Sequence, residues 1–274
     1  MPEPSLAVVV VSYNVRADLD RCLRSIRAHA GAPLPSVAVV DNGSTDGTLA
    51  WLRAEWPQVE AIDAGGNVGF ASANNRGIRA TSSDLVLLLN PDAELLPGAV
   101  ATLVATLAAH PEAAAVGPRL VDGNGRAEIS FGPMISPWGE YRQRRLLTAY
   151  ERHEPWAEAR VAAITTTAGA KPWVSGACLL ARRTDLEAVG LFDERYFLYT
   201  EDVDLCAAWR ARGRAVRFEP AATVRHLRGR SAAGDGSAAE ALRRASQMAF
   251  YRKHHPLWAP VLAWWLRRRG RDVR

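Results

Sequence analysis

The sequence predicts an α/β fold: a Rossmann-like, mainly parallel sheet flanked by helices, followed by a basic, aromatic helical tail. Leu6-Ala7-Val8-Val9-Val10-Val11, Val37 to Val40 and Leu85 to Leu89 are short continuous apolar runs, the pattern of strands buried on both faces. Helical patterns alternate with them, and this alternation describes a doubly wound sheet. Two acidic loops, Asp41-Asn42-Gly43-Ser44-Thr45-Asp46-Gly47-Thr48 and Asn90-Pro91-Asp92, directly follow the second and third runs. Loops at the carboxyl ends of neighbouring parallel strands converge on one crevice, so acids distant in sequence can meet around one ligand.

Between the first two strands, Leu19, Cys22, Leu23 and Ile26 recur at i, i+3, i+4 and i+7 and share one helix face. Thr48 to Glu55 and Phe70 to Ala80 read as helices, with a weaker strand from Val59 to Ile62. Pro97 opens the next helix, as prolines in a first turn do, and Ala113 to Val121 returns as a strand. From Phe131 to Pro172 the chain mixes Gly, Pro, Trp and charge and reads as an insertion, with a helix near Glu140 to Arg152. The pattern then resumes: a strand over Trp173 to Ala181, a short helix over Thr184 to Val189, a helix over Val203 to Arg212 stopped by Gly213, and a strand over Ala215 to Glu219. Residues 231–239 have almost nothing to bury and predict a mobile loop. There is no internal repeat. The expected organisation is one α/β domain over 1–232, in two halves that meet at about 122, and then a mobile loop and basic amphipathic tail over 233–274.

The chain has 274 residues, 48% of them hydrophobic, enough to bury a full core. Cys22, Cys178 and Cys206 form an odd set with no C-x-x-C spacing, which argues against a disulfide framework and a zinc site. No basic segment precedes the first apolar run, so the expectation is a cytoplasmic protein that is not exported. The net charge of +5 is uneven: residues 240–274 carry nine Arg or Lys against Glu240 and Asp272, a balance of +7 that leaves −2 on the body. A basic tail points to an anionic partner, a membrane surface or a nucleic acid, with a solvated helix face as the alternative. The tail's apolar run from Pro256 to Leu266 is short of the ~20 residues a spanning helix needs. Its Trp and Arg content instead predicts an interfacial segment, or else tryptophans that pack on the body of the fold.

Ser12-Tyr13-Asn14 ends the first strand where a dinucleotide fold needs G-x-G-x-x-G, so the sequence weighs against nicotinamide dehydrogenases and P-loop enzymes. Asp41 can accept hydrogen bonds from a base imide or ribose hydroxyls, and Asp46 can cap the following helix, although turn and cap chemistry alone would use the same residues. Gly65-Gly66-Asn67-Val68-Gly69 begins the helix that carries Asn74, where backbone amides can approach an anion. Asp92 follows the most apolar strand and can give an oxygen to Mg2+ or Mn2+ shared with a diphosphate; the rival is a bare Asn-Pro-Asp turn. Glu201, Asp202 and Asp204 open a helix, where acids also serve the helix dipole. Phe192, Tyr196, Phe197 and Tyr199 precede them, and an aromatic wall can raise a carboxylate's pKa toward that of a general base. Val224-Arg225-His226-Leu227-Arg228-Gly229-Arg230-Ser231 places an imidazole and arginines after a strand, suited to metal and phosphate unless His226 is a core histidine.

Taken in order, Val11-Ser12-Tyr13-Asn14, Asp41 to Thr48, Asn67-Val68-Gly69-Phe70-Ala71 with Asn74, Asn90-Pro91-Asp92, Gly176-Ala177, Glu201-Asp202 with Asp204-Leu205, and His226 resemble a family 2 glycosyltransferase of the GT-A fold. The resemblance spans about residues 5 to 232. It implies inverting transfer of a sugar from a nucleotide-diphosphate donor. Asp41 would read the base, Asp92 and His226 would lie at a Mg2+ or Mn2+ ion, and Asp202 would be the base. Ser12, Tyr13, Asn14, Asn67, Gly69, Asn74, Asn90, Arg228 and Arg230 would contact the donor. Trp173, Gly176 and Glu201 would contact a saccharide or lipid-linked saccharide acceptor. The family's metal motif is usually Asp-x-Asp; here Asn90 is a neutral first ligand, and Glu94 is available to compensate. The Asn-Pro-Asp form and the His226-x-x-Gly229-x-Ser231 run look most like bacterial rhamnosyltransferases of cell-wall and surface-polysaccharide assembly, which implies a deoxythymidine diphosphate rhamnose donor.

Two rivals are expected to fail. A sugar-nucleotide nucleotidyltransferase would need a Gly-rich basic loop after the first strand, and Ser12 to Asp18 offers only Arg16. A nucleic-acid binder built on the tail leaves Asp41, Asp92 and Asp202 unexplained. The expected partners are therefore the donor, the acceptor and an anionic membrane surface at the inner face, with no nucleic acid.

Overall fold

The computed structural model describes residues 4–31, 34–227 and 236–268. In chain order the elements are β1 (Leu6–Ser12), α1 (Arg16–His29), β2 (Ser36–Asp41), α2 (Thr48–Glu55), β3 (Glu60–Asp63), α3 (Phe70–Ala80), β4 (Leu85–Leu89), β5 (Ala93–Leu95), α4 (Ala99–Ala109) and β6 (Ala113–Val121). There follow α5 (Pro137–Glu151), α6 (Pro155–Thr165), β7 (Gly169–Ala170), β8 (Cys178–Arg182), α7 (Arg183–Ala188), α8 (Glu201–Ala211), β9 (Ala215–His226), α9 (Gly236–His254) and α10 (Ala259–Arg268).

The strands form one mixed sheet in the order β3-β2-β1-β4-β8-β6-β9-β5, with β7 also on β9. Its first half is parallel throughout: Val8 pairs with Val37 on one side and Leu87 on the other. The antiparallel β8 then separates β4 from β6, and β6 and β9 are again parallel. Side-chain alternation explains the continuous apolar runs. Val8 and Val10 pack with Leu19, Leu23 and Ile26 of α1, while Val9, Val86 and Leu88 pack on the other face with Ile78 of α3 and Leu205 and Trp209 of α8. Helix α3 lies so close to β1 that a Cβ on Gly77 would stand 2.4 Å from Val9 Cγ1.

Four local expectations change. The strand drawn from Trp173 begins only at Cys178, because residues 173–177 leave the sheet after a single bridge between Phe131 and Val174. The strand from Ala215 runs on to His226, held along its length by β6. Pro97 precedes the helix rather than opening it, since Gly98 at φ 77° supplies the turn into α4. The expected loop 231–239 is helical from Gly236 onward, and residues 231–235 lie outside the described residues.

The tail folds back on the body. Phe250 is fully buried with Tyr196 and Val203, and Met248 and Tyr251 are buried with Ala259 and Leu266 of α10. Burial on this scale contributes about 1.5–3 kcal/mol per large side chain, enough to seat α9 firmly. Tyr251 Oη also donates to Glu140 Oε2 of α5 (2.6 Å). The three cysteines are free and buried.

Candidate active site

The carboxyl ends of β1, β2 and β4 open onto a cavity of about 510 Å³. Of the predicted site residues, Tyr13, Asn67, Gly69, Asn90, Asp92, Gly176, Glu201, Asp202 and His226 line it. Asp41, Ser12, Asn14, Asn74 and Trp173 do not, and Arg228 and Arg230 lie outside the described residues.

The end of the cavity beside β1 and β2 is shaped by side chains that bond to backbone. Asn42 Oδ1 accepts the Val68 N–H (2.9 Å) and its Nδ2 donates to Asn67 Oδ1 (3.0 Å), so the two acidic-loop and glycine-loop segments are tied together. Asn14 adopts φ 55°; its N–H donates to Ser44 Oγ and its Oδ1 accepts the Thr45 N–H, which makes it a brace between loops rather than a lining group. Asn74 is likewise turned inward, donating to the Phe70 carbonyl within its own helix (2.9 Å). Asp41 is buried with Oδ1 unpartnered, and burial raises its pKa above the ordinary carboxylate value. Gly69 has a steric reason for being glycine: at φ 87°, a Cβ would meet the Phe197 carbonyl at 2.7 Å.

At the end of β4, Asn90 Oδ1 and Asp92 Oδ1 are buried and make no hydrogen bond. His226 Nε2 stands 3.3 Å from Asp92 Oδ1, an ion-pair distance without a hydrogen bond's alignment, and its Nδ1 is 3.0 Å from Glu128 Oε2. Burial pushes the imidazole pKa down, but the adjacent Asp92 and Glu128 carboxylates prevail and raise it to about 9. Unpartnered buried oxygens beside an imidazole are a donor set that suits a hard or borderline divalent ion. Among the described residues no three or more His, Cys, Asp or Glu side chains form a metal-holding group, so the donor set here is Asp92 and His226 with the neutral Asn90 oxygen. Glu94 does not belong to it. That side chain is spent on Arg225 (3.0 Å) and Arg21 (3.4 Å) where β5 meets β9.

Glu201 and Asp202 begin α8 after a strained approach, with Tyr199 at φ 70° and Thr200 at φ 72°. Asp202 Oδ2 accepts the Gly176 N–H (2.9 Å) and Oδ1 the Val203 N–H (2.8 Å). A Cβ on Gly176 would lie 3.3 Å from Asp202 Cβ, so glycine there lets the backbone reach the carboxylate. Burial raises both acids; Glu201 rises further, its Oε2 unpartnered and the Asp202 charge beside it. For Asp202 the hydrogen bonds from the Gly176 and Val203 amides act against burial and favour its charged form, a support that Glu201 lacks from neighbouring residues. Trp173 instead donates its indole N–H to the Pro133 carbonyl (2.9 Å) and packs among Tyr196, Val203 and Phe250, away from the cavity wall.

Three lining or supporting groups were not singled out from the sequence: Asn42, Glu128 and Arg243 of α9. Asn42 lay inside a motif already noted. Glu128 and Arg243 carry no local signal, because their partners are far away in the chain. A smaller cavity of about 260 Å³ lies at the start of β4 beside Arg182 and Arg183, whose guanidiniums are taken up by backbone carbonyls of residues 78, 83, 107 and 113.

The architecture has solved counterparts. The chain superposes with a TM-score of 0.64 on the mannosyltransferase PcManGT from Pyrobaculum calidifontis in complex with GDP-Man and Mn2+, at 20% identity over 96% of this chain and 69% of that one. It superposes equally, at 0.64 and 16% identity over 90% and 50%, on GalNAc-T7 with UDP, GalNAc and Mn2+. Among sequence relatives, the N-acetylglucosaminyl-diphospho-decaprenol L-rhamnosyltransferase of Mycobacterium tuberculosis is 33% identical over 96% of this chain and 89% of its own length. The low-salt glycan biosynthesis hexosyltransferase Agl10 of Haloferax volcanii is 27% identical over 76% and 61%. The family model described as Glycosyl transferase family 2 matches residues 7–166, the stretch that carries β1, the two acidic loops and the metal-suited end of β4. With more than half of its length in that match, and a full-length relative above 30% identity, this chain belongs to glycosyl transferase family 2.

Proposed function

We propose that this glycosyltransferase moves L-rhamnose from dTDP-rhamnose, with inversion, to a hydroxyl of a saccharide held on a lipid diphosphate in cell-wall or surface-polysaccharide assembly. The observation that carries the reading is one cavity lined both by the amide-braced Asp202 and by the unpartnered oxygens of Asn90 and Asp92. The identity of sugar and acceptor is supported by the mycobacterial rhamnosyltransferase relative, which matches nearly the whole chain. Residues to about 122 form the donor half; those after it, together with α9, form the acceptor half.

In the mechanism, Asp202 takes the proton from the acceptor hydroxyl as its oxygen attacks the anomeric carbon. The new bond is oxygen to C1, the bond broken is C1 to the donor diphosphate, and the nucleotide diphosphate leaves with the electron pair. Asp92, Asn90 and His226 are the residues that would hold Mg2+ or Mn2+, which when bound neutralises charge on the leaving diphosphate. Glu128 fixes the His226 ring through Nδ1, so that Nε2 faces Asp92. The base end of the donor lies against Tyr13, Asn42 and Asn67, with Asp41 behind them. Incubating the protein with a panel of nucleotide sugars tests the reading: slow hydrolysis of dTDP-rhamnose above all others is expected, and equal indifference to every nucleotide sugar would sink it.

We also place the enzyme on the inner face of a membrane. No described helix is long and apolar enough to cross one. Yet Leu257 (89% exposed), Trp258 (51%), Val261 (50%) and Trp264 (55%) form an apolar ridge at helical spacing, opposite the buried Ala259 and Leu266. Arg268 lies over Trp264 (4.5 Å), with Arg267 adjacent in sequence. The expected result is co-sedimentation with anionic liposomes that weakens as salt rises and is lost in Trp258→Ser/Trp264→Ser. A full-length protein indifferent to anionic vesicles at low ionic strength would refute this placement.

A further inference from the structure

One side chain in the cavity wall comes from the tail. Among the described lining residues Arg243 is the only arginine or lysine, in a wall that also presents Asp92, Glu201 and Asp202. Its place is built by the anchoring of α9. Ser246 Oγ donates to the Leu198 carbonyl (2.7 Å), Phe250 is buried against Tyr196 and Val203, and Lys253 Nζ lies 2.7 Å from Asp204 Oδ2. His254 Nε2 is 2.6 Å from the other oxygen of Asp204, so α9 is fastened to the same helix whose first turn carries Asp202.

The Arg243 guanidinium stacks over the Tyr199 ring at 4.5 Å. Its neighbour Arg244 pairs with Glu240 (3.3 Å), whereas Arg243 has no carboxylate partner among the described residues. A guanidinium stacked through its face keeps its in-plane N–H groups free, and that fork matches phosphate oxygens. An exposed cation with no carboxylate partner among the described residues, at a cavity whose wall also presents carboxylates, is placed for an anion brought in by a ligand.

We propose that Arg243 binds the diphosphate that links the acceptor saccharide to its carrier. This rests on the transferase reading above and specifies what its acceptor site recognises. The donor diphosphate belongs with Asn90, Asp92 and His226, while Arg243 stands on Tyr199, beside Glu201 and Asp202 in the loop and helix that receive the acceptor hydroxyl. The helix that carries Arg243 ends at His254, and after a short turn α10 packs Ala259 and Leu266 on its Met248 and Tyr251, so the diphosphate contact and the surface for a lipid carrier form one packed unit.

The test uses full-length Arg243→Ala and Arg243→Lys with three readouts: donor hydrolysis without acceptor, transfer to an N-acetylglucosaminyl alkyl diphosphate, and transfer to the uncharged N-acetylglucosaminyl alkyl glycoside. For Arg243→Ala, KM for the diphosphate acceptor is expected to rise about 10-fold to 100-fold, the scale of a lost charge-assisted hydrogen-bonded pair. Its KM for the neutral acceptor, and its donor hydrolysis, should stay within about twofold of wild type, and Arg243→Lys should recover part of the loss. Equal losses on both acceptors would overturn the proposal, leaving Arg243 as a brace for the Tyr199 loop. A raised donor KM would also overturn it and move the contact to the donor diphosphate. Wild-type enzyme that hydrolyses donor yet uses both acceptors equally well overturns the Arg243 assignment alone; wild-type enzyme that neither hydrolyses donor nor transfers overturns the transferase reading with it.

Discussion

Asp202→Asn is expected to bind the donor as wild type does and to lose about 10²-fold to 10⁴-fold in kcat, the range for removing a general base. Asparagine keeps the shape, but its single oxygen can replace only one of the two carboxylate oxygens, so it retains the bond from either the Gly176 or the Val203 amide and loses the other. What it cannot do is take a proton. The wild-type acid limb adds a second check. Burial raises the pKa of Asp202, so activity should be lost as pH falls through a value above the ordinary carboxylate pKa of about 4. The sign follows from the mechanism, since only the ionised form works and protonation removes it. In stability the same shift acts in reverse: a buried carboxyl with a raised pKa is destabilising where it is ionised, and lowering pH through that pKa relieves the cost. Near-normal turnover of Asp202→Asn would transfer the role to Glu201, whose unpartnered Oε2 lies in the same wall.

The parts of this molecule legible in the sequence are those whose information is local. β1, β2 and β4 are apolar on both faces and stand out as runs; α3 was readable to the residue because Gly69 and the polar 81–84 stretch delimit it. β5 was not, since Ala93–Leu95 is a strand only because it pairs with Val224–His226. α6 lacks helical periodicity, with small and charged residues distributed around it. The site divides the same way. Asp92, His226, Glu201 and Asp202 come from motifs at strand and helix ends. Glu128 meets His226 across 98 residues, and Arg243 reaches Tyr199 only because α9 docks on Asp204 and Leu198. The tail's composition announced an interface, but it did not separate the buried Phe250 and Tyr251 from the exposed Trp258 and Trp264, which is a matter of which face α5 and α8 cover.

Asp92→Ala is expected to remove the metal dependence of donor binding altogether. The carboxylate sits at the end of the most apolar strand, nearly inaccessible, with an oxygen that finds no hydrogen-bond donor, and a buried charge in that state is costly unless a cation meets it. Within the protein that cation is His226, which is itself shared with Glu128. A divalent ion held by Asp92, Asn90 and His226 would neutralise charge on the nucleotide diphosphate and is expected to bind more tightly with it, since among the described residues no three His, Cys, Asp or Glu side chains form a metal-holding group. Calorimetric titration of dTDP in the presence of Mn2+ should therefore show a Kd about 10-fold to 100-fold weaker for Asp92→Ala than for wild type, and equal to that of wild type in chelator. Glu128→Gln, which leaves all three proposed ligands in place and loosens only the ring of His226, should fall between the two. If wild type binds dTDP equally well in Mn2+ and in chelator, the metal assignment is wrong, and the Asp92, His226 and Glu128 chain must instead act on the diphosphate through the imidazole alone.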